Sequence, residues 1–262
     1  SAGNQLQNHS SNILLGGSAG RCMRASFNIA LGQSALVGGS TASNNTGAYN
    51  IALGYQSLND NISGGCNIAL GRQAGQKITT GAQNVFIGSN AGDQDDDGTY
   101  QVFIGCGAGA CMQGTANIAL GFQALQGSST PGNNSGEHNI ALGAYAGQDI
   151  TSGVCNVFIG EDAGKDTTTS KDNVSIGSCA GHGNETGCEN IFIGRGTGGG
   201  ATGSIRNVLI GTMAGESGTF TGKYNVALGA GNMRDNTSGE DNTFIGNHNG
   251  ICNTTGNRNI ML

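Results

Sequence analysis

The chain has no tryptophan and a single proline among 262 residues, and only 11% of its residues are charged. Aromatics make up 5%. So little large apolar bulk argues against an ordinary globular core. No apolar run approaches the roughly 20 residues of a membrane-spanning helix, and no signal-peptide core opens the chain, so membrane insertion is not expected. The net charge of -6 leaves no basic stripe for a phosphate backbone, which excludes nucleic acid as a partner. His9, His138, His182 and His248 fall at unrelated places and pair with no nucleophile and acid. The sequence therefore reads as that of a non-enzyme without a cofactor.

Glycine, by contrast, occurs 50 times. Each glycine inside a helix costs about 1 kcal/mol relative to alanine, so glycine every few residues excludes long helices. No three-residue glycine period marks collagen. The chain must be built from short strands and turns.

A self-similar motif supplies them. NILLG begins at Asn12, and NIALG at Asn28, Asn50, Asn67, Asn117 and Asn139. NVFIG begins at Asn84 and Asn156, and variants at Gln101, Asn173, Asn190, Asn207, Asn225, Asn242 and Asn259. Successive starts lie 16 to 18 residues apart, except for two spacings of 22. Those two carry related inserts, at 37 to 47 and 127 to 136, and lie 89 residues apart, as do Cys22 and Cys111. A block of coils was duplicated. The expected fold is an all-β β-solenoid (β-roll or β-helix) of about 15 coils with a repeat of ~17 residues, over 1-262 as one domain.

Counting the motif Asn as position 0, each position has a physical reading. The asparagines suit a stacked amide ladder, each side chain bonding to its copy one coil away at about 4.8 Å. Positions 1 and 3, almost always Ile, Val or Leu, share one strand face and are expected to fill the interior. The Gly at position 4 marks a turn. Position 2 is then expected to face outward. There it carries Phe86, Phe103, Phe158, Phe192 and Phe244, a stripe that another copy of the chain would cover. The alternative is that position 2 sits in the coil's own core at a bend.

The motifs NIALGxxA and NVFIGxxAG, with an intervening TG and a return to Asn, resemble the head repeats of YadA-like trimeric autotransporter adhesins. They also resemble the NTALGYxAG repeats of phage tail-fibre proteins. The resemblance covers nearly the whole chain, although the unit here is longer than the usual adhesin repeat. It implies a trimeric β-roll in which one strand face meets the other protomers, and surface attachment as the activity.

Two uses follow as expectations for a chain that is extracellular, on a cell surface or on a virion. One is a fibre or adhesin segment that presents variable loops to a cell-surface glycan or receptor. The other is a filament subunit that stacks end to end, since neither end of the sequence shows a polar cap. Acyltransferase hexapeptide repeats would need three hexapeptides per coil where one is visible, and an ice-binding face would need regular threonine rows.

Among possible sites, Cys179 with Cys188, and Cys106 with Cys111, are the expected disulfides if the eight cysteines are not simply small buried thiols. Asp93, Asp95, Asp96 and Asp97 are a weak candidate for a cation, because the run lacks the spacing of a calcium loop. Glycosylation sequons begin at Asn8, Asn44, Asn61, Asn133, Asn173, Asn184, Asn236 and Asn253.

Overall fold

The computed structural model describes residue 2, residues 11–39 and residues 45–262. It is an all-β solenoid, described below as two compact units, Ser1–Ser135 and Gly136–Leu262. The division falls in the second insert. Unit 1 holds strands β1 (Ile13–Leu15), β2 (Ile29–Leu31), β3 (Ile51–Leu53), β4 (Ile68–Leu70), β5 (Val85–Ile87), β6 (Val102–Ile104) and β7 (Ile118–Leu120). Unit 2 holds β8 (Ile140–Leu142), β9 (Val157–Ile159), β10 (Val174–Ile176), β11 (Ile191–Ile193), β12 (Val208–Ile210), β13 (Val226–Leu228), β14 (Thr243–Ile245) and β15 (Ile260–Met261).

Within each unit every strand pairs in parallel with the next. The register never slips: Val85 lies against Val102 and Ile87 against Ile104, and in unit 2 Ile191 lies against Val208 and Ile193 against Ile210. One repeat is therefore one coil, and like residues stack on like. The turn glycine holds that pitch. Gly54, Gly71 and Gly88 have φ of 140, 139 and 134°, and a Cβ on Gly54 would stand 2.3 Å from the carbonyl oxygen of Gly71 one coil on. No other residue fits there.

The facing of the strand differs from the sequence reading. Phe86, Phe103, Phe192 and Phe244 are fully buried and Phe158 is 1% exposed, so the phenylalanines form the core and not an oligomer-facing stripe. The aliphatic positions 1 and 3 turn outward instead. The cause is parity: side chains alternate along a strand, and the ladder asparagine at position 0 is buried, so position 2 must point the same way. Asn50, Asn67, Asn84 and Asn190 are fully buried.

The core is packed by exchange of volume between positions 2 and 8. Where position 2 is Phe, position 8 is Gly: a Cβ on Gly109 would lie 2.3 Å from Phe103, and one on Gly164 would lie 2.2 Å from Phe158. Where position 2 is Ala30, Ala52, Ala119 or Ala227, position 8 is Leu36, Leu58, Leu125 or Met233, all buried. Ala69 and Ala141 keep a glycine at position 8, and buried Ile78 and Ile150 complete those coils. Each coil thus reaches one close-packed volume by one of several routes.

Candidate interaction faces

The buried asparagines run along the strand's entry. Within each unit the Oδ1 accepts the backbone N–H of the next ladder residue, as Asn50 does from Asn67 at 2.9 Å and Asn190 from Asn207 at 3.0 Å. The Nδ2 donates to the carbonyl three residues before that next asparagine, such as Gly81 for Asn67 and Ser204 for Asn190. Side chain also bonds to side chain in unit 2, from Asn156 on Asn139 through to Asn259 on Asn242. The expected side-chain ladder is thus found in unit 2, whereas in unit 1 the asparagines Asn50, Asn67 and Asn84 link coil to coil through backbone groups, which the sequence did not suggest. Its one glutamine, Gln101, accepts from the Asn117 N–H at 3.3 Å and donates to the carboxylate of Asp95 at 3.2 Å.

With asparagine and position 2 inside, the outer strand face carries two aliphatic columns. Leu120 in unit 1 is 38% exposed, and Ile191 and Ile210 in unit 2 are 37% exposed. The other members are mostly half-buried by their neighbours in the stack. Each unit therefore presents a flat strip of Ile, Val and Leu at a pitch of about 4.8 Å.

A second column borders this strip. The residue before each ladder position is left-handed in all fifteen copies, with φ from 56 to 64°, although none of the fifteen is glycine or asparagine. The conformation turns the donor: the N–H of Cys66 points back to Ala48, whereas that of Ile68 points forward to Asn84. Such a conformation costs about 1–2 kcal/mol per residue, so the coil's hydrogen bonds must over-determine it. In unit 1 the column holds Phe27 and Tyr49, stacked at 5.1 Å, and Tyr100. In unit 2 it holds Asp172, Glu189, Arg206, Tyr224, Asp241 and Arg258. Arg206 grips both carboxylate oxygens of Glu189 and lies over the Tyr224 ring. Sequence reasoning missed this column because no glycine flags it; the recurrence of one variable residue before every Asn was the available signal.

A threonine corner also emerges in unit 2. The hydroxyls of Thr151, Thr168, Thr221 and Thr237 each donate to a carbonyl of the next coil, at 3.0 to 3.1 Å. These threonines, scattered in the sequence, form a row once the coils stack.

The remaining site candidates separate. All eight cysteines are free. Cys179 lies in the turn after β10 while Cys188 lies in the bridging segment before β11, so neither expected disulfide forms between those segments; Cys106 and Cys111 are likewise unpaired. The four aspartates take four separate roles. Asp93 accepts from Asn90 at 2.8 Å, Asp95 from the Gly98 N–H at 2.9 Å and from Gln101, and Asp96 from the Thr79 hydroxyl at 2.8 Å, while Asp97 is exposed. Burial pushes the Asp95 carboxyl up to about 7, against the downward pull of the Gly98 and Gln101 hydrogen bonds. Among the described residues no cluster of three or more His, Cys, Asp or Glu could hold a metal ion. Of the sequon asparagines, Asn61, Asn173, Asn184 and Asn236 are buried and Asn133 is exposed; Asn8 and Asn44 lie outside the described residues.

No family model, curated protein or solved structure matches this chain. What it does must be read from its faces.

Proposed function

We propose that this chain is a structural and attachment-bearing fibre segment whose aliphatic strand face packs against further copies of itself. The observation that carries the reading is the strip of half-exposed Ile, Val and Leu along each unit. Monomers rarely expose apolar patches above a few hundred Å². Its polar border in unit 2, with Glu189, Arg206, Asp241 and Arg258, matches the apolar centre and charged rim of a protein interface. The resemblance to adhesin and tail-fibre repeats supports a site of action outside a cell or on a virion, with the variable column and inserts facing a surface ligand.

The test is assembly. Sedimentation velocity of the reduced chain should show a discrete oligomer, and Ile191→Lys with Ile210→Lys should return it to monomers with the melting temperature kept. Long fibres of constant width by negative-stain microscopy would instead favour the filament subunit. A wild-type monomer at micromolar concentration would sink both.

A further inference from the structure

One coil of unit 2, the one that begins at Asn173, has an interior unlike the rest. Among the described residues, every other coil from Asn12 to Asn242 buries at least one Phe, Leu, Ile or Met. The coil of Asn173 buries none. Its position 2 is Ser175, its position 8 is Gly181, and its position 11, which is Ile78 and Ile150 in other coils, is Asn184. The Phe192 ring of the next coil comes to 3.1 Å from where a Cβ on Gly181 would stand, and closes that side.

The same coil and its two neighbours leave buried polar atoms without partners. Asn184 is 2% exposed, and its Oδ1 has no hydrogen-bond partner in the protein. Thr167 stands at position 11 of the coil before; Ser170 and Ser204 stand at position 14 of the coils before and after. All three are fully buried, and none of their hydroxyls has a partner. Positions 11 and 14 face each other, since a Cβ on Gly187, position 14 of the middle coil, would lie 2.1 Å from the Asn184 Oδ1. The unpartnered atoms therefore line two adjoining columns over a rise of about 10 Å. Each costs about 1–3 kcal/mol if it stays dry. Turning the Asn184 amide over does not remove the cost: Asn236, at the same position, sets its Oδ1 on the Gly239 N–H and leaves its Nδ2 unpartnered.

Small interior side chains beside unpartnered donors and acceptors meet the two needs of an internal water, room and two to four polar partners. We infer that the coil of Asn173 binds water inside the solenoid, held by the Asn184 amide and by the hydroxyls of Thr167, Ser170 and Ser204. Hydroxyls donate and accept, and the carboxamide oxygen accepts, so this set engages both the hydrogens and the oxygen of water. A cation would find oxygens here but no carboxylate among the four groups to balance its charge, and an apolar molecule would leave all four unpartnered. Water thus takes the volume that Phe, Leu, Ile or Met fills in the other coils.

Oxygen-17 relaxation dispersion of water, recorded on the reduced full chain, detects long-lived internal water and tests the assignment. Asn184→Ile, which gives this coil the residue that Ile78 and Ile150 supply elsewhere, should lose at least one such water relative to wild type while the melting temperature is kept or raised. Thr167→Val keeps the shape and removes one hydroxyl. It should reduce the dispersion amplitude and lower the melting temperature, because the bound water loses a partner, and it serves if Asn184→Ile fails to fold. An amplitude equal to wild type in either folded variant, or a Thr167→Val chain more stable than wild type, would overturn the assignment. Loss of the wild-type signal on adding potassium chloride would overturn it too, by showing that a cation takes the site.

Discussion

The two units run the same coil with different linkages. In unit 1 the Nδ2 groups of Asn50, Asn67 and Asn84 donate only to backbone carbonyls, those of Gly64, Gly81 and Gly98. In unit 2 the corresponding groups of Asn173, Asn190 and Asn225 donate also to the Oδ1 of the asparagine before. Unit 1 carries the inserts, each pinned by a buried asparagine: Asn45 bonds to the Cys22 carbonyl, and Asn134 bonds to that of Cys111. Unit 2 carries the run of corner threonines, of which Thr79 is a counterpart in unit 1. The shared part is the bond from backbone N–H to asparagine Oδ1 and the buried position 2, and these define the coil. Amide-to-amide links, corner hydroxyls and edge columns are what each unit adds.

If position 2 is common to both, its loss should be equally severe in each. Phe103→Ala in unit 1 and Phe192→Ala in unit 2 should each cost about 3–5 kcal/mol, measured by denaturant unfolding. Each ring abuts a glycine, Gly109 or Gly198, that leaves no side chain to refill the space. A loss below about 1 kcal/mol in either unit would show that the core is not what sets the coil there.

The next effect separates the units by pH. Only unit 1 buries a carboxyl within the ladder, at Asp95. Because folding raises its pKa from 3.8 to about 7, the native state holds the proton more tightly than the unfolded chain. Its contribution is therefore complete below about pH 3.8, falls away as pH rises through 7, and stays lost above. A rise of that size corresponds to roughly 4 kcal/mol at most. Asp95→Asn should flatten this slope and stabilise unit 1 at pH 8. An unchanged slope between pH 4 and 7 would show that Asp95 is already ionised in the fold.

Smaller again is the extra amide link. Asn190→Ala removes two more bonds than Asn67→Ala, one amide link to each neighbouring coil, so its penalty should exceed the other by about 1–2 kcal/mol. Equal penalties would reduce the side-chain link to a by-product of stacking.

How much of this the sequence showed depends on which signal was periodic. Repeat length, parallel stacking, the turn glycine and the ladder itself follow from residues that recur at fixed spacing. The facing of the strand was also present, in two signals: Asn and position 2 share parity, and Phe at position 2 accompanies Gly at position 8 while Ala accompanies Leu or Met. The strong hydrophobicity of Ile and Leu hid both, because aliphatic residues are ordinarily assigned to the inside. The depression over Gly107 and Ala110, between the coils of Asn84 and Asn117, was not legible. It depends on Gly107 and Ala110 being small between larger neighbours one coil away, and only the three-dimensional stack makes those neighbours adjacent.

The edge columns give the smallest effect. Arg206 holds the Glu189 carboxyl below its usual range, chiefly through their hydrogen bonds, but both side chains stand in solvent, where water and salt screen the attraction. Arg206→Met should leave the melting temperature of the monomer unchanged within error. In the assembly proposed above the same residue would lie on the rim of the aliphatic strip, where a charge governs encounter and partner choice more than stability. The substitution should therefore alter the salt dependence of association while the fold is untouched. A clear drop in monomer stability would place Arg206 among the coil's structural residues and remove it from the rim.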